Sequence, residues 1–371
     1  MLLDKDKNFS SLWSLRSREQ ALDVLGYIRH LLEMQLPIPT IAKLTGIPRR
    51  AIFRRLTEYN ITVRELCSTV SEEELDRLVT EIKSVMPQAG YRLVRGTLKA
   101  KGYRVQWERL KASLHRVDTE GILSRMIQLG CIVRRSYSVP FPKSLVHIDT
   151  NHKLIWYNIV IFGGVDGFSR KIMYFGAANN NLASTTLESF EQAVQKVRRD
   201  QGVENVDVAR LMFTVWGASV GSFIAGKSVH NQRLWRDVWM GVTHTFYDVL
   251  HTLEEEGHLD LNDSYHLFCC HYIFLPHLQA SLDVFHDGWD DHPLSSEGNI
   301  TPNQLWEIGQ MQHPVTDPDN LEELHIPHID WEESLLTEEH SSVTVPRLDS
   351  PLNEERMGEL RATIDPIGPS D

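Results

Sequence analysis

Three β-rich runs follow one another in the middle of the chain, and they limit the choice of fold more than any other feature. SLVHID, WYNIVIFGGVD and KIMYFGAA are separated by short polar turns, a pattern that predicts three antiparallel strands. Long helical runs follow, among them ASTTLESFEQAVQKV and SYHLFCCHYIFLPHLQASLDVFHDGW. A strand meander followed by helices indicates an α/β or α+β domain. We place this domain at residues 144–310.

The charge of the chain is divided unevenly along its length. Residues 1–143 contain 25 Lys and Arg against 15 Asp and Glu, although the whole chain has a net charge of −12. Residues 144–312 contain 10 and 20, and residues 313–371 contain 3 and 15. This division predicts a basic module, an acidic globular module and an acidic tail. We expect the tail, residues 313–371, to be disordered.

Composition excludes several classes of protein. No run of about 18 apolar residues occurs, and the N-terminus lacks the apolar stretch of a signal peptide, so we expect neither a membrane span nor secretion by that route. No glycine-rich phosphate loop occurs, so we expect no nucleotide cofactor.

The cluster of His266, Cys269, Cys270 and His271 has two interpretations, a zinc site or residues that pack a helix. Its spacing encloses no loop, which favours packing.

The basic third of the chain reads as helical, and its first unit spans residues 19–66. TIAKLTG and RRAIFRRLTEY are separated by a short turn with Gly46 and Pro48, as in a helix-turn-helix. Ile41, Ile52, Phe53 and other apolar residues would pack inside. Four arginines would face double-stranded DNA: Arg49, Arg50, Arg54 and Arg55. The alternative is a three-helix bundle whose arginines only face water.

A second helical unit spans residues 71–131. Ser71 and Glu74 form a capping box at its start. The unit is basic and carries tyrosine and tryptophan, so we predict DNA contacts from Arg92, Arg95, Lys99 and Arg109. IVRRSYSVPFPK, with two prolines, is predicted to be an extended linker that marks the domain boundary.

Five motifs occur along the chain in this order: HIDTNHK, GGVDGFSRKI, RRDQGVENV, SVHNQR with LWRDV, and WDDHPLSSEGNITPNQLW. Together they resemble the core of the retroviral-integrase superfamily. The helical unit AGYRLVRGTLKAKGYRVQWERL resembles a DNA-binding unit of bacterial insertion-sequence transposases, so the resemblance spans about residues 20–310. It implies a transposon-derived DNA-integration protein with a ribonuclease-H-like fold and a mixed central sheet. It also implies action as a homo-oligomer, in the nucleus of a eukaryote or otherwise in the cytoplasm.

The family resemblance also implies two Asp and one Glu that hold two Mg²⁺ or Mn²⁺ ions for DNA cleavage and strand transfer. Such ions activate the attacking hydroxyl and stabilise the leaving oxygen. Asp149 matches the first acid and Asp200 the second, and both would bind metal. The alternative for Asp149 is an ordinary turn aspartate. Asp166 matches a hairpin position that is not catalytic in the family.

Two gaps interrupt the family pattern beside these acids. HNQR directly abuts LWRD, so the expected glutamate is missing, and Asp237 is the nearest substitute. Only four residues, 196–199, separate the helical stretch ASTTLESFEQAVQ from Asp200, too few for a turn and the expected strand. We therefore predict impaired catalysis. A decayed element, a spliced variant, a gene-model error and a host protein that kept only DNA or protein binding all remain open.

Overall fold

The computed structural model describes residues 18–61, 66–128, 139–142, 145–181, 185, 232–312, 345 and 350–368. The first three helices are α1 (Arg18–Glu33), α2 (Ile38–Thr45) and α3 (Arg49–Glu58). Gly46 adopts a φ of 69° after α2, a left-handed conformation that glycine tolerates without strain. Pro48 precedes α3 as its N-cap residue. A three-residue turn therefore joins α2 to α3.

The interior of this helical unit differs from the sequence prediction at one position. Ile41 and Ile52 are fully buried and Leu56 is nearly so. Phe53, which we expected inside, has 51% of its surface exposed. Ile52 and Leu56 stand four residues apart and already supply the buried stripe of α3, so Phe53 lies outside that stripe.

Four helices follow: α4 (Glu72–Val85), α5 (Tyr91–Ala100), α6 (Trp107–Val117) and α7 (Thr119–Gln128). The Ser71 hydroxyl accepts a hydrogen bond from the backbone N–H of Glu74 at 3.1 Å. This bond satisfies one of the free donors at the helix N-terminus. The Ser71 half of the predicted capping box is confirmed, whereas the Glu74 carboxylate accepts two hydrogen bonds from Arg77.

The sheet consists of β1 (Val146–Asn151), β2 (Val160–Asp166) and β3 (Ile172–Ala178). The strands are antiparallel in the order β1-β2-β3, which confirms the predicted meander. All seven residues of β2 are buried, as expected for the central strand. The further strand that the resemblance implies near Asp200 falls outside the described residues, so the mixed sheet stays a prediction.

The helices that follow the sheet begin with α8 (Gln232–Val238), which continues through a π-helical turn at Trp239–Thr243 into α9 (His244–Glu255). Next come the 27-residue α10 (Ser264–Asp290) and α11 (Pro302–Gln312). No described helix has the length and apolar character needed to cross a membrane.

Helices from before the predicted linker share one hydrophobic core with the sheet. This core includes Leu78, Val94 and Leu110 as well as Ile161 and Phe285. Helix α5 packs against α10. A Cβ atom on Gly96 would overlap the carbonyl oxygen of Gly288 and lie 2.8 Å from the backbone nitrogen of His292. The second helical unit is thus in close backbone contact with the domain from which the sequence separates it.

Helix α11 joins the first helical unit to the rest of the described chain. The Thr301 and Gln304 side chains each accept a hydrogen bond from the other residue's backbone N–H, at 3.3 and 3.0 Å. Together with Pro302 at the first helical position, they form a complete capping box. The Gln304 amide also donates to the carbonyl of Met34 at 2.8 Å, and Ile308 belongs to the hydrophobic core of α1–α3.

The predicted disorder of the tail is wrong for one segment, because Glu354–Thr363 forms a helix, α12. The Asn353 side chain caps it by accepting from the backbone N–H of Arg356 at 2.9 Å. Acidic residues in the first turn and Arg361 in the last turn suit the helix dipole. The Tyr272 hydroxyl on α10 donates to the carbonyl of Ile364, just beyond α12, at 2.7 Å.

Candidate functional site

Asp149, the first predicted catalytic acid, lies in the middle of β1. It is directly opposite Gly163 on β2, which is in turn opposite Phe175 on β3. Residues that face each other across antiparallel strands share one side of the sheet. Asp149, Gly163 and Phe175 therefore form a row across all three strands.

The Trp235 side chain from α8 lies over this row. Its ring centroid is 5.5 Å from that of Phe175. A Cβ atom on Gly163 would lie only 3.0 Å from the Trp235 ring, so the glycine leaves the space that the indole fills. The Trp235 Nε1–H donates a hydrogen bond to Asp149 Oδ2 at 2.9 Å.

Both oxygens of the Asp149 carboxylate accept hydrogen bonds. Oδ1 accepts from the backbone N–H of Thr150 at 2.9 Å, and Oδ2 accepts from Trp235. An indole nitrogen is only a donor and has no lone pair for a metal ion. The Asp149 side chain is thus engaged in a contact that fixes α8 to the sheet.

Asp237, the predicted substitute for the missing glutamate, stands two positions after Trp235 on α8. Two residues correspond to about 200° of rotation around a helix, so Asp237 does not share the face from which Trp235 reaches Asp149. Arg233 and Arg236 lie 3.7 and 3.2 Å from its carboxylate oxygens. Burial raises the pKa of Asp237, although both arginines act in the opposite direction.

The described residues do not fit a two-metal centre. Within that part of the chain, no group of three or more His, Cys, Asp or Glu side chains is placed to hold a metal ion. Asp237 does not share the face of α8 from which Trp235 reaches Asp149, and two guanidinium groups near Asp237 disfavour a cation. Mg²⁺ needs several oxygen ligands in nearly octahedral geometry. Asp200, the second predicted ligand, lies outside the described residues.

The middle of the chain matches a known family model. Residues 136–318 match the integrase core domain. No curated protein and no solved structure matches the chain. The matched segment contains β1–β3, α8–α11 and all three predicted acids. Integrase core domains generally use divalent metals, and the roles of Asp149, Asp200 and Asp237 as metal ligands stay predictions.

The four arginines predicted for α3 differ in exposure. Arg49 and Arg50 are exposed, whereas Arg55 is half-buried. The Arg54 side chain is 74% exposed and lies 3.6 Å from Glu58 in a loose ion pair. Three guanidinium groups on α3 are therefore accessible to a large anion.

The basic residues predicted for the second helical unit make contacts within the chain. Lys99 pairs with Asp291 at 2.8 Å, and Arg109 pairs with Glu72 at 2.7 Å. Arg95 lies 5.0 Å from the centre of the Trp107 ring, and Arg92 donates to the carbonyl of Pro293 at 3.4 Å. These contacts hold α5 and α6 in place, and DNA contact through the same residues stays a prediction.

Asp290 is a buried acid, in the segment that matches the integrase core domain, whose contacts the sequence did not indicate. Its carboxylate accepts from the backbone N–H of Ile172 at 2.9 Å and pairs with Lys171 at 2.6 Å. Burial alone would raise the pKa of Asp290, but Lys171 and His286 hold it below its ordinary value. The WDDHP motif was the available signal, but it could not show that α10 is tied to the start of β3.

The histidine of the same motif is buried and uncharged at neutral pH. His292 donates from Nδ1 to the carbonyl of Trp289, and the two rings lie 4.5 Å apart. Burial lowers the pKa of His292 to about 4. Lys99 forms an ion pair with Asp291. All three consecutive residues of the motif, Asp290–His292, therefore make contacts within the chain.

The predicted packing role of the histidine and cysteine cluster on α10 agrees with its contacts. His266 Nδ1 accepts from the backbone N–H of Asp260 at 3.0 Å, and His271 bonds to the carbonyl of Tyr157 at 2.9 Å. Cys269 is exposed, whereas Cys270 is buried, so their side chains diverge. Zinc coordination by this cluster finds no support among the described residues.

Proposed function

We propose that the chain is a DNA-binding protein derived from a transposable element. Its integrase core, of ribonuclease-H-like fold, would no longer carry out efficient DNA cleavage and strand transfer. The hydrogen bond from Trp235 to Asp149 is the observation that supports this proposal best. It covers one oxygen of the first predicted metal ligand with an indole, which supplies no ligand of its own, where the family pattern calls for a further carboxylate. A eukaryotic protein with this function would act in the nucleus.

DNA binding is supported by the surface of α3. Arg49, Arg50 and Arg54 are exposed on one ten-residue helix that follows a three-residue turn. A helix in this position enters the major groove in helix-turn-helix proteins, where arginines contact phosphates and base edges. The proposed partner is therefore double-stranded DNA, bound through this helix.

The loss of catalysis is supported by the chemistry of the site. In-line displacement at a phosphodiester needs two metal ions about 3.5–4 Å apart, held by acids that converge from separate elements. In this chain, α8 is the helix on which the third acid is expected. It places Trp235 over the sheet, and the carboxylate of Asp237 lies near Arg233 and Arg236. The alternative is a factor that has no enzymatic activity at all and binds only DNA or a protein, and the same Trp235 contact is compatible with it.

Removing the three exposed arginines of α3 tests the DNA-binding proposal. The variant R49A/R50A/R54A is expected to bind a random-sequence duplex more weakly. The slope of log K against log salt concentration should become shallower by about 2–3, because fewer counterions are released. Fluorescence anisotropy at several salt concentrations measures both quantities.

A control variant removes three positive charges from a different part of the surface. R77A/K101A/K111A replaces three exposed basic residues of the second helical unit, each in a surface ion pair. Such pairs contribute little to stability. This variant should keep the wild-type salt slope. Equal slopes for wild type and R49A/R50A/R54A would contradict the role of α3.

Manganese titration tests the loss of the two-metal site without requiring knowledge of a DNA sequence. We expect the wild-type chain, D149N and D237N to give the same calorimetric titration with Mn²⁺. Neither carboxylate would contribute to a metal centre, and weak binding to the acidic tail would be common to all three. D248N, which removes an exposed acid of α9, serves as the control for general charge. Stoichiometric Mn²⁺ binding that disappears specifically in D149N would show an intact centre.

A further inference from the structure

An apolar side chain lies on the face of α3 that carries the exposed arginines. Phe53 is 51% exposed. It follows Arg49 and Arg50 by four and three residues, which places them beside it on the helix surface. Arg54 is the next residue, and the Thr57 hydroxyl bonds to the carbonyl of Phe53 at 3.0 Å. The ring thus lies within the surface that we assign to DNA.

The exposure of Phe53 is not a consequence of poor packing in this unit. Ile52 and Leu56 on the same helix are 0% and 3% exposed and complete the core with α1 and α2. A phenyl ring left in water forgoes much of the stabilisation that its burial would give. Its neighbours are cationic, so a polyanion is a better partner for this face than an apolar protein surface.

Arginine contacts to phosphate position a protein on DNA but carry no sequence information. Sequence is read at base edges in the major groove, where thymine alone presents a methyl group. Apolar side chains such as phenylalanine are suited to contact that methyl group. A phenyl ring among phosphate-binding arginines has the chemistry for this contact.

We propose that Phe53 packs against the C5-methyl group of a thymine in the major groove and gives the protein a preference for thymine at that position. This inference rests on the proposed binding of double-stranded DNA through α3. It adds Phe53 as the residue that selects thymine at one position, beside the phosphate and base-edge contacts of the arginines.

The test uses the difference between thymine and uracil, which lacks only the methyl group. A duplex is first selected from a random 20-base-pair library by the full wild-type chain. It is then synthesised with deoxyuridine in place of each thymine in turn. At one position, the change should weaken wild-type binding about fourfold, the effect of one buried methyl or methylene group. F53A should bind the thymine duplex more weakly and show no preference between the two duplexes.

Two further variants make the result specific. Tyr59, also an exposed aromatic residue, lies at the C-terminal end of α3, and Y59A should keep the preference for thymine. F53L keeps an apolar side chain and should retain part of it. Circular dichroism of F53A should match that of the wild type, since the side chain is outside the core.

The outcomes separate this inference from the proposed function. If R49A/R50A/R54A binds weakly but F53A retains the thymine preference, the inference is wrong and DNA binding stands. If F53A weakens binding to both duplexes equally, the ring acts as a wedge or touches the backbone, and the inference is wrong. If R49A/R50A/R54A binds as tightly as the wild type, the proposed function itself fails.

Discussion

Replacing Trp235 by alanine is expected to lower the free energy of unfolding by about 3–5 kcal/mol, the usual cost of truncating a large packed aromatic side chain. The indole packs against Phe175 and over Gly163, and it is the donor to Asp149. Its loss would leave a cavity over the sheet and remove the hydrogen bond that ties α8 to β1. Urea denaturation measures the change.

The matched control for Trp235 is Trp156, a second tryptophan with a hydrogen-bonded indole. Trp156 is 68% exposed, and its Nε1–H donates to Glu254 at 3.3 Å. W156A should change the free energy of unfolding by less than about 1 kcal/mol, because little packing is lost.

Two conservative variants separate packing from hydrogen bonding at the Trp235 site. W235F keeps a ring but leaves Asp149 without its indole donor, and D149N keeps an acceptor for the indole. Asparagine can accept only one of the two hydrogen bonds that the Asp149 carboxylate accepts. We therefore expect D149N to be less stable than the wild type by about 1 kcal/mol and W235F to lie between wild type and W235A. If W235A were as stable as W156A, the contact between Trp235 and the sheet would not exist in solution.

Replacing Gly96 by alanine is expected to destabilise the protein by about 2–3 kcal/mol, although alanine is the better helix former. Gly96 lies where α5 meets α10, and its added methyl group would overlap the backbone of Gly288. Backbone atoms cannot move aside as a flexible side chain can, so the two helices would have to separate. Thermal and urea denaturation both measure the loss.

Gly26 provides the control for Gly96, because it also lies within a helix. A Cβ atom on Gly26 would meet nothing within 4 Å. G26A should therefore stabilise the protein by about 0.5–1 kcal/mol through helix propensity alone. Opposite signs for the two substitutions are the expected result. The same sign for both would mean that α5 and α10 do not make this close contact.

Local features of the fold were predictable because their causes are local in sequence. The strands of the sheet follow from β-rich runs between turns, and the N-cap of α4 follows from Ser71 and Glu74. The turn before α3 follows from Gly46 and Pro48. Each of these depends on residues a few positions apart, so the pattern of one segment is enough.

The contacts that support the proposed function join residues that are far apart in the sequence. Trp235 reaches Asp149 across 86 positions, and no periodicity in either segment indicates that contact. The charge of Lys99 is visible in the sequence, but its ion pair with Asp291, 192 positions later, is not. Phe53 looked like a core residue because hydrophobicity alone does not show that Ile52 and Leu56 already fill the interior.

The contact of α11 with the first helical unit has a consequence for any attempt to divide the chain. The core of α1–α3 includes Ile308, and the Gln304 amide donates to the carbonyl of Met34, which lies 270 positions earlier. Both residues belong to the C-terminal end of the segment that matches the integrase core domain. A fragment that ends before α11 would therefore expose apolar residues of α1–α3, so the proposed DNA-binding helix depends for its folding on that distant segment.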